Sequence, residues 1–338
     1  MLAPVFDLRM ASAAIGLALL VAWPLVGGSF GVDLVTKTMI YAIIALSLEL
    51  LVGSAGLVCF GQAAFFGLGA YAAAKLTPQS AAPSIFWLLP ACVGVAAAYA
   101  LFMGALSLRT RGVYFIMVTL AFAQMAFYVV HDTPLGGGTD GIYLYFKPLV
   151  EIGGKPLFDL DAPLAMYYFV LASLVAVFAF LALLMRSHFG RALAGIRINE
   201  QRMRATGFST YWYKLAAFVV SGAIAGLGGF LFAVKDGFVN PELLSWHLSG
   251  AVLIMIILGG IGHLRGAVIG AFAFALLQEL FKSEALFGPF AKHWLLGLGL
   301  AIIVSVALLP RGLIGAGALL AHRLRRTPRI DAVGGPHR

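Results

Sequence analysis

Apolar segments separated by short polar turns make up most of the chain. A helix needs about 20 predominantly apolar residues to cross the hydrocarbon core of a membrane, and most of the segments approach that length. The pattern predicts an all-α fold, a polytopic transmembrane helical bundle of about ten membrane segments within residues 1–318, followed by a basic tail at residues 319–338. The segments are residues 10–27, 35–52, 57–76, 86–108, 112–130, 164–185, 215–234, 246–261, 267–281 and 292–309.

Two neighbouring segments, 246–261 and 267–281, are shorter than a full crossing requires. They either cross fully or form a broken, re-entrant pair, which is tolerated where the irregular backbone is buried in protein or lines a cavity. The glycine-rich turn between them resembles an earlier one: aligning LVGSAGLVCFG with ILGGIGHLRG pairs Gly53 and Gly56 with Gly259 and Gly262. The alignment indicates either an internal repeat or a chance recurrence of glycine pairs.

The longest polar interruption is residues 186–214, RSHFGRALAGIRINEQRMRATGFSTYWYK. It carries six lysines and arginines against the single acid Glu200, so it is expected to lie in water rather than in hydrocarbon. Glu200 is placed to pair with Arg204 across one helical turn, and Gly207 is expected to end the helix. The spacing predicts one helix with two stripes, an apolar one of Leu193, Ile196 and Met203 and a solvated one of Arg197, Gln201 and Arg204.

Composition agrees with a membrane protein and argues against two other classes. With 62% hydrophobic and only 11% charged residues, the chain of 338 residues is more apolar than a soluble core requires. The net charge of +9 could suggest a nucleic-acid partner, but the basic residues are dispersed among loops and the tail. We therefore expect membrane lipid and no nucleic acid as a partner. Cys59 and Cys92 lie in apolar runs and are expected to be buried thiols.

The distribution of basic residues predicts the orientation of the chain. An amino terminus in the cytoplasm places every arginine of the sequence on that side, including Arg109, Arg111, Arg265 and those of residues 186–214. Cytoplasmic loops of membrane proteins carry an excess of lysine and arginine. We therefore expect both termini to be cytoplasmic.

Polar side chains inside apolar segments are candidates for a translocation pathway, because each costs transfer free energy unless it faces water or a partner. Glu49, Gln62, Thr119 and Gln124 are such residues. For Glu49 an interfacial or neutralised carboxyl is an equal alternative, and for Gln62 and Gln124 a hydrogen bond between helices is at least as good an interpretation. The small residues at 221–229 predict a face on which helices pack closely.

Several chemical signatures are missing from the sequence. No G-x-x-x-x-G-K-[ST] motif occurs, so any ATPase that drives the protein must be a separate chain. No metal-ligand cluster, Ser/His/Asp constellation or close carboxylate pair stands out, which leaves catalysis without a site. We therefore expect no cofactor, no metal and no enzymatic activity.

Several long motifs occur along the chain. In chain order they are LLVGSAGLVCFGQAAFFGLGAY, RGVYFIMVTLAFAQMAFYVV, GGGTDGI, EQRMRATG, ILGGIGHLRGAVIGAFAFALLQEL and PRGLIG. In these motifs and in their order the chain resembles the membrane subunits of ABC importers, and the branched-chain amino acid permease family in particular. The resemblance covers the chain from about residue 38 to residue 315.

The resemblance implies a permease subunit of the bacterial inner membrane that pairs with a homologous permease subunit, docks ATPase subunits and receives substrate from a periplasmic substrate-binding protein. It identifies residues 186–214 as the cytoplasmic coupling loop, in which the ATPase-coupling residues are Arg191, Arg197, Glu200, Arg204 and Gly207. Where the family often has Asn and His, this chain has Glu49 and Gln62. The substrate therefore stays open between a branched-chain amino acid and a small polar solute such as urea or a short amide. An ion-coupled secondary transporter in which Glu49 titrates is the alternative.

Overall fold

The computed structural model describes residues 3–78, 82–152, 155–158, 160–283, 288–309 and 312–315, and the predicted basic tail lies outside them. Helices dominate the described residues. A π-helical turn, Leu50–Ala55, extends the second helix without a break. The α-helices are α1 (Ala3–Val26), α2 (Ser29–Glu49), α3 (Gln62–Leu76), α4 (Ile85–Ser107), α5 (Val113–Asp132), α6 (Pro163–Arg186), α7 (His188–Ile198), α8 (Glu200–Ala205), α9 (Thr210–Asp236), α10 (Trp246–Gly259), α11 (Leu264–Lys282) and α12 (Trp294–Leu308).

Short strands appear only in connections between helices within the described part of the chain. β1 (Ile142–Tyr143) pairs antiparallel with β4 (Phe238–Val239), and β2 (Val150–Ile152) pairs antiparallel with β3 (Lys155–Phe158). The first pair ties the α5–α6 connection to the end of α9. Because the strands have only two to four residues each, the fold remains all-α.

Each predicted membrane segment corresponds to one helix, and the predicted polytopic helical bundle is confirmed. Among the described residues, α2 with its π-turn, α4, α5, α6, α9 and α11 are long and apolar enough to cross a membrane. α10 has 14 residues and measures about 21 Å, less than a hydrocarbon core of about 30 Å, so its predicted shortness is confirmed. α11 has 19 residues, more than predicted, because the helix begins at Leu264 and ends at Lys282.

α2 and α9 form the centre of the bundle. In their most apolar windows 89% and 78% of the residues are buried, against 28% in α4, α5, α6 and α11. α9 packs against α3 and α4, and α2 packs against α6, α9 and α11. The outer helices therefore present apolar side chains to the surroundings, such as Leu106 on α4 and Leu183 on α6.

The central packing depends on the small residues predicted for it. A Cβ atom added at Gly226 would overlap the methyl group of Ala96 on α4, and one added at Gly69 on α3 would overlap the backbone of Gly226. Gly229 likewise lies against the backbone of Phe66. Because these positions carry no side chain, the backbones of α3, α4 and α9 approach closely and gain dispersion contacts. In lipid these contacts hold the helices together, because an apolar helix surface is equally well covered by lipid tails.

The two ends of the bundle differ in charge. One end collects the α4–α5 turn with Arg109 and Arg111, residues 186–214, and the turn between α10 and α11; there Tyr211 Oη donates to the Ala105 carbonyl at 3.0 Å. At the other end Lys235 Nζ lies 2.8 Å from Asp33 Oδ1. The described arginines of the predicted cytoplasmic side thus lie at one end, and the assignment of that end to the cytoplasm stays a prediction.

Candidate functional site

Residues 186–214 form two short helices instead of the single helix predicted. α7 ends at Ile198, Asn199 leaves the helical conformation with φ −155° and ψ 98°, and α8 begins at Glu200. The Asn199 side chain accepts a hydrogen bond from the Arg202 amide at 3.0 Å and so caps α8. Asparagine favours caps over helix interiors because its side chain competes for backbone groups. The prediction of one continuous helix is therefore wrong at this residue.

The apolar stripe survives the break. Leu193 and Ile196 on α7 are buried. The Met203 sulfur lies against Gly195, which places α8 on α7. Arg191 is exposed, with its guanidinium 3.1 Å from His188 Nδ1. α7 therefore has an apolar face toward the bundle and a basic outer face.

A glycine shortly after Ala205 terminates α8, as predicted. Gly207 has φ +88°, a left-handed conformation that glycine adopts without steric cost. The Gly207 amide donates to the Arg204 carbonyl at 3.0 Å, and the Phe208 amide donates to the Met203 carbonyl at 3.1 Å. The two bonds form a Schellman motif, which closes α8 and turns the chain toward α9.

Glu200 is the centre of an ion-pair network between α8 and α9. Its Oε1 lies 2.6 Å from Arg204 Nη2, which is the predicted pair, and its Oε2 lies 2.7 Å from Lys214 Nζ. Thr210 Oγ1 donates to Glu200 Oε1 at 3.1 Å and accepts from Arg204 Nε at 2.9 Å. Arg204, expected to be a solvated charge, is thus held within the chain. Partial burial alone would raise the pKa of Glu200, but the hydrogen bond and charge of Lys214, with Thr210 and Arg204, hold that pKa below its ordinary value.

Arg197 connects α7 to two glycine turns at the ends of membrane helices. Its Nη1 donates a hydrogen bond to the Gly53 carbonyl in the π-helical turn that follows α2. Its aliphatic carbons lie against Gly56, which has φ +70°, and its guanidinium lies beside Gly262 in the α10–α11 turn. Although Arg197 remains largely exposed, it is therefore not simply solvated as predicted. The two turns aligned in the sequence meet at this side chain.

Glu49 joins the same two turns from inside the bundle. Its side chain lies against Gly53, and its Oε1 accepts a hydrogen bond of 2.6 Å from the Gly262 amide. We name Glu49, Gly53, Arg197 and Gly262 the glycine junction. The structure thus places Glu49, a predicted pathway residue, in a contact between α2 and the α10–α11 turn.

Thr119 supports an irregular segment between α2 and α3. The sequence predicts membrane helix from residue 57, but α3 begins only at Gln62. Thr119 Oγ1 accepts a hydrogen bond from the Phe60 amide at 3.3 Å, and Ser249 Oγ accepts one from the Ala63 amide at 3.0 Å. These bonds satisfy backbone donors that a helix would otherwise pair, which is required for irregular backbone inside a membrane bundle.

Gln62 forms hydrogen bonds between helices, the alternative left open by its sequence context. Its Nε2 lies 2.5 Å from Ser47 Oγ on α2 and 3.0 Å from Ser221 Oγ on α9, and the residue is fully buried. Ser221 Oγ in turn donates to the Ser47 carbonyl at 2.7 Å. The amide therefore links the first turn of α3 to both central helices.

Gln124 differs from the three other predicted pathway residues because it is partly exposed. Glu49, Gln62 and Thr119 are buried, whereas Gln124 lies in mid-helix on a half-buried flank of α5. That flank also carries Leu120, one turn before it. Gln124 is thus the one predicted pathway residue of the four that is not buried.

The sequence that forms these helices and turns matches a known family. The family described as the branched-chain amino acid transport system permease component matches residues 31–307. The chain belongs to this permease family. The match runs from the first turn of α2 to the last turn of α12, so it includes the glycine junction and the Glu200 network. Family membership and the apolar helices make the permease a multi-pass protein of the bacterial inner membrane.

Relatives of the permease are themselves permease proteins. It is 32% identical over 318 residues to the high-affinity branched-chain amino acid transport system permease protein LivM of Escherichia coli strain K12, which covers 88% of this chain and 73% of LivM. LivM of Salmonella typhimurium strain LT2 matches to the same extent. The autoinducer 2 import system permease protein LsrC of Escherichia coli strain K12 / DH10B is 34% identical over 145 residues, 40% of this chain and 42% of LsrC. No solved structure matches the permease chain.

Sequence reasoning missed several polar residues that organise this permease. Ser47, Ser221 and Ser249 bond Gln62 or the Ala63 amide, and Asn199 separates α7 from α8. The serines lie inside apolar runs, so the rule that selected Gln62 could have found them. Their partners are distant in sequence, and no local signal predicts the pairing.

Proposed function

We propose that the permease is the membrane-spanning subunit of an ATP-binding cassette importer for branched-chain amino acids or a related small polar solute. The family match and the LivM relatives support amino acids as the substrate class. The LsrC relatives support a wider range of small solutes within the same transporter class. ATP hydrolysis is assigned to separate partner subunits.

The contact between Arg197 and the glycine turns is the observation that carries this proposal. α7 and α8 lie at the end of the bundle that also carries Arg109 and Arg111, the arginine-rich end. They expose basic side chains, among them Arg191 and Arg202, which are suited to docking an ATPase subunit. A displacement of α7 would pass through Arg197 to the π-turn of α2. It would reach the α10–α11 pair through Gly262. A docking event outside the bundle is thereby connected to a central helix.

The solute pathway is assigned to the half-buried flank of α5. A side-chain amide in mid-membrane is costly against lipid but not against water or a protein partner. The partly exposed Gln124 is therefore placed at a water-filled pathway shared with a second, homologous permease subunit. The connections at the opposite end of the bundle, including the β1–β4 pair, are assigned to the docking of a periplasmic substrate-binding protein.

The test compares Arg197→Ala with Arg191→Ala in the complex with the ATPase subunits. Arg191→Ala is expected to weaken co-purification of the ATPase, because its exposed guanidinium belongs to the docking face. Arg197→Ala is expected to keep co-purification but to lower the solute imported per ATP hydrolysed about tenfold, the effect of one charge-assisted hydrogen bond. Arg186→Ala, an exposed arginine at the end of α6, is the control for loss of charge. ATP-independent uptake, or an Arg197→Ala complex as well coupled as the wild type, would show the proposal to be wrong.

A further inference from the structure

A cavity of about 190 Å³ opens at the arginine-rich end of the bundle, between the α4–α5 turn and the start of α9. It is far larger than the roughly 15 Å³ that one water requires, so it can hold a larger polar group. We name it the cationic pocket. The lining residues that bear on its chemistry are Arg109, Arg111, Glu200, Arg204, Tyr211 and Lys214.

The cationic pocket has an excess of positive charge. Arg204 and Lys214 share the carboxylate of Glu200, at 2.6 and 2.7 Å. Arg109 and Arg111 are exposed and have no ion-pair partner among the residues that the structure describes. Four cations against one carboxylate leave three positive charges uncompensated. Guanidinium groups in such a setting favour phosphate oxygens, which they bind through paired N–H donors.

Apolar side chains flank the cationic pocket at the ends of the same helices. Leu106, one turn before Arg109, is 40% exposed, and Val113 and Tyr114 in the first turn of α5 are 67% and 74% exposed. Trp212, next to Tyr211, is also exposed, and tryptophan and tyrosine favour the membrane–water interface. A free anion needs no such apolar surface, whereas a phospholipid needs it for its acyl chains. A docked acidic peptide would not use the lipid-facing sides of α4 and α5.

We propose that the cationic pocket binds the phosphate headgroup of an anionic phospholipid. Arg109 and Arg111 contact the phosphate, Lys214 provides a third positive charge, and the acyl chains lie along the exposed apolar sides of α4 and α5. Basic pockets between membrane helices on the cytoplasmic side are suited to anionic headgroups. The assignment does not depend on the transported solute or on ATP coupling.

The experiment is native mass spectrometry of the full chain released from nanodiscs of equimolar phosphatidylglycerol and phosphatidylcholine. The wild type is expected to retain phosphatidylglycerol preferentially. R109Q/R111Q should lose about twenty-fivefold in that preference, because each basic group at the membrane surface contributes about fivefold. R109K/R111K keeps both positive charges and should retain most of the preference for phosphatidylglycerol. R186Q/R202Q removes two exposed arginines from the same end, and its phosphatidylglycerol retention is expected to equal that of the wild type. Single R111Q, with an expected fivefold loss, is the variant to use if the double variant does not fold.

Three outcomes would overturn the lipid assignment. The first is equal phosphatidylglycerol retention in R109Q/R111Q and the wild type. The second is displacement of the lipid by inorganic phosphate at equal concentration, which would make the pocket a site for free anions. The third is displacement of the lipid when the ATPase subunits are added, which would make the pocket part of a protein interface.

Discussion

The carboxylate of Glu49 accepts a hydrogen bond of 2.6 Å from the backbone amide of Gly262, which joins the end of α2 to the turn between α10 and α11. Glu49 is only 2% exposed. An acid inside an apolar helix is tolerated when it has such a partner. The contact favours a fixed link between helices over an ion site open to water. It therefore supports the ATP-driven transporter rather than the ion-coupled alternative.

Glu49→Gln should leave ATP-dependent uptake within about threefold of the wild type, because the amide oxygen can still accept the hydrogen bond from Gly262. Loss of that hydrogen bond would have a larger effect. Glu49→Leu should destabilise the protein by about 1 kcal/mol, because the Gly262 amide loses its acceptor. Uptake is measured in proteoliposomes with ATP inside and no ion gradient, and stability is measured by thermal unfolding. Uptake driven by a proton or sodium gradient without ATP, and abolished by Glu49→Gln, would reverse this interpretation.

Sequence predicted the features of this site that depend on near neighbours. The Glu200–Arg204 pair and the Gly207 helix end follow from spacings of a few residues. The contact of Arg197 with Gly53 joins residues 144 positions apart, and nothing local distinguishes this arginine from the others around it. Spacing alone made Arg197 a solvated charge, because periodicity assigns a residue to a face but not to a partner.

Hydrophobicity could not predict where α3 begins. Residues 57–60 are as apolar as the helix that follows, so a hydropathy pattern extends the helix through them. Their backbone is irregular because its donors find partners elsewhere, such as Thr119 for the Phe60 amide, 59 positions away. The apolar membrane segments and their helical class could be predicted because they depend on apolar length, which is a local property.

Gly226→Leu should impair assembly, because the new side chain would overlap the Ala96 methyl group and lie against the backbone of α4 at Cys92. Overpacking typically costs about 1–3 kcal/mol, and backbone neighbours that cannot rotate away place this site at the upper end of that range. The measurement is the yield and thermal midpoint of the purified protein. Gly94→Leu is the matched control, since a Cβ at Gly94 on α4 meets no atom within 4 Å. Equal yields and midpoints for the two variants would refute the proposed packing.

The Glu200 network should make stability depend on pH. Because its folded pKa is lowered, Glu200 contributes stability that is present above its ordinary pKa and is lost as the pH falls through the folded value. At neutral pH, Glu200→Gln should cost about 1 kcal/mol, and the difference from the wild type should shrink on acidification. Thermal midpoints across acidic pH measure the effect, with the exposed Glu242→Gln as the control. A difference that stays constant with pH would contradict the assigned ion pairs.

Gln124→Leu and Gln62→Leu should separate the solute pathway from the packing of the core. Gln62 bonds Ser47 and Ser221, so its replacement removes two buried hydrogen bonds between helices and should lower stability by about 1–3 kcal/mol. Gln124 is partly exposed, so its replacement should leave the thermal midpoint unchanged. ATP-dependent uptake by Gln124→Leu should fall roughly tenfold, because this variant loses one hydrogen bond to the solute or to its water.

Met125→Leu is the control for this comparison, because Met125 follows Gln124 on α5 and is 47% exposed. Met125→Leu keeps an apolar side chain at this position, so both uptake and stability should stay unchanged. The measurements are thermal unfolding and uptake by the full complex in proteoliposomes. Normal uptake by Gln124→Leu would remove this flank of α5 from the pathway. A loss of stability in Gln124→Leu as large as that in Gln62→Leu would instead make Gln124 a packing residue, because an amide lining water has no buried partner to leave unpaired.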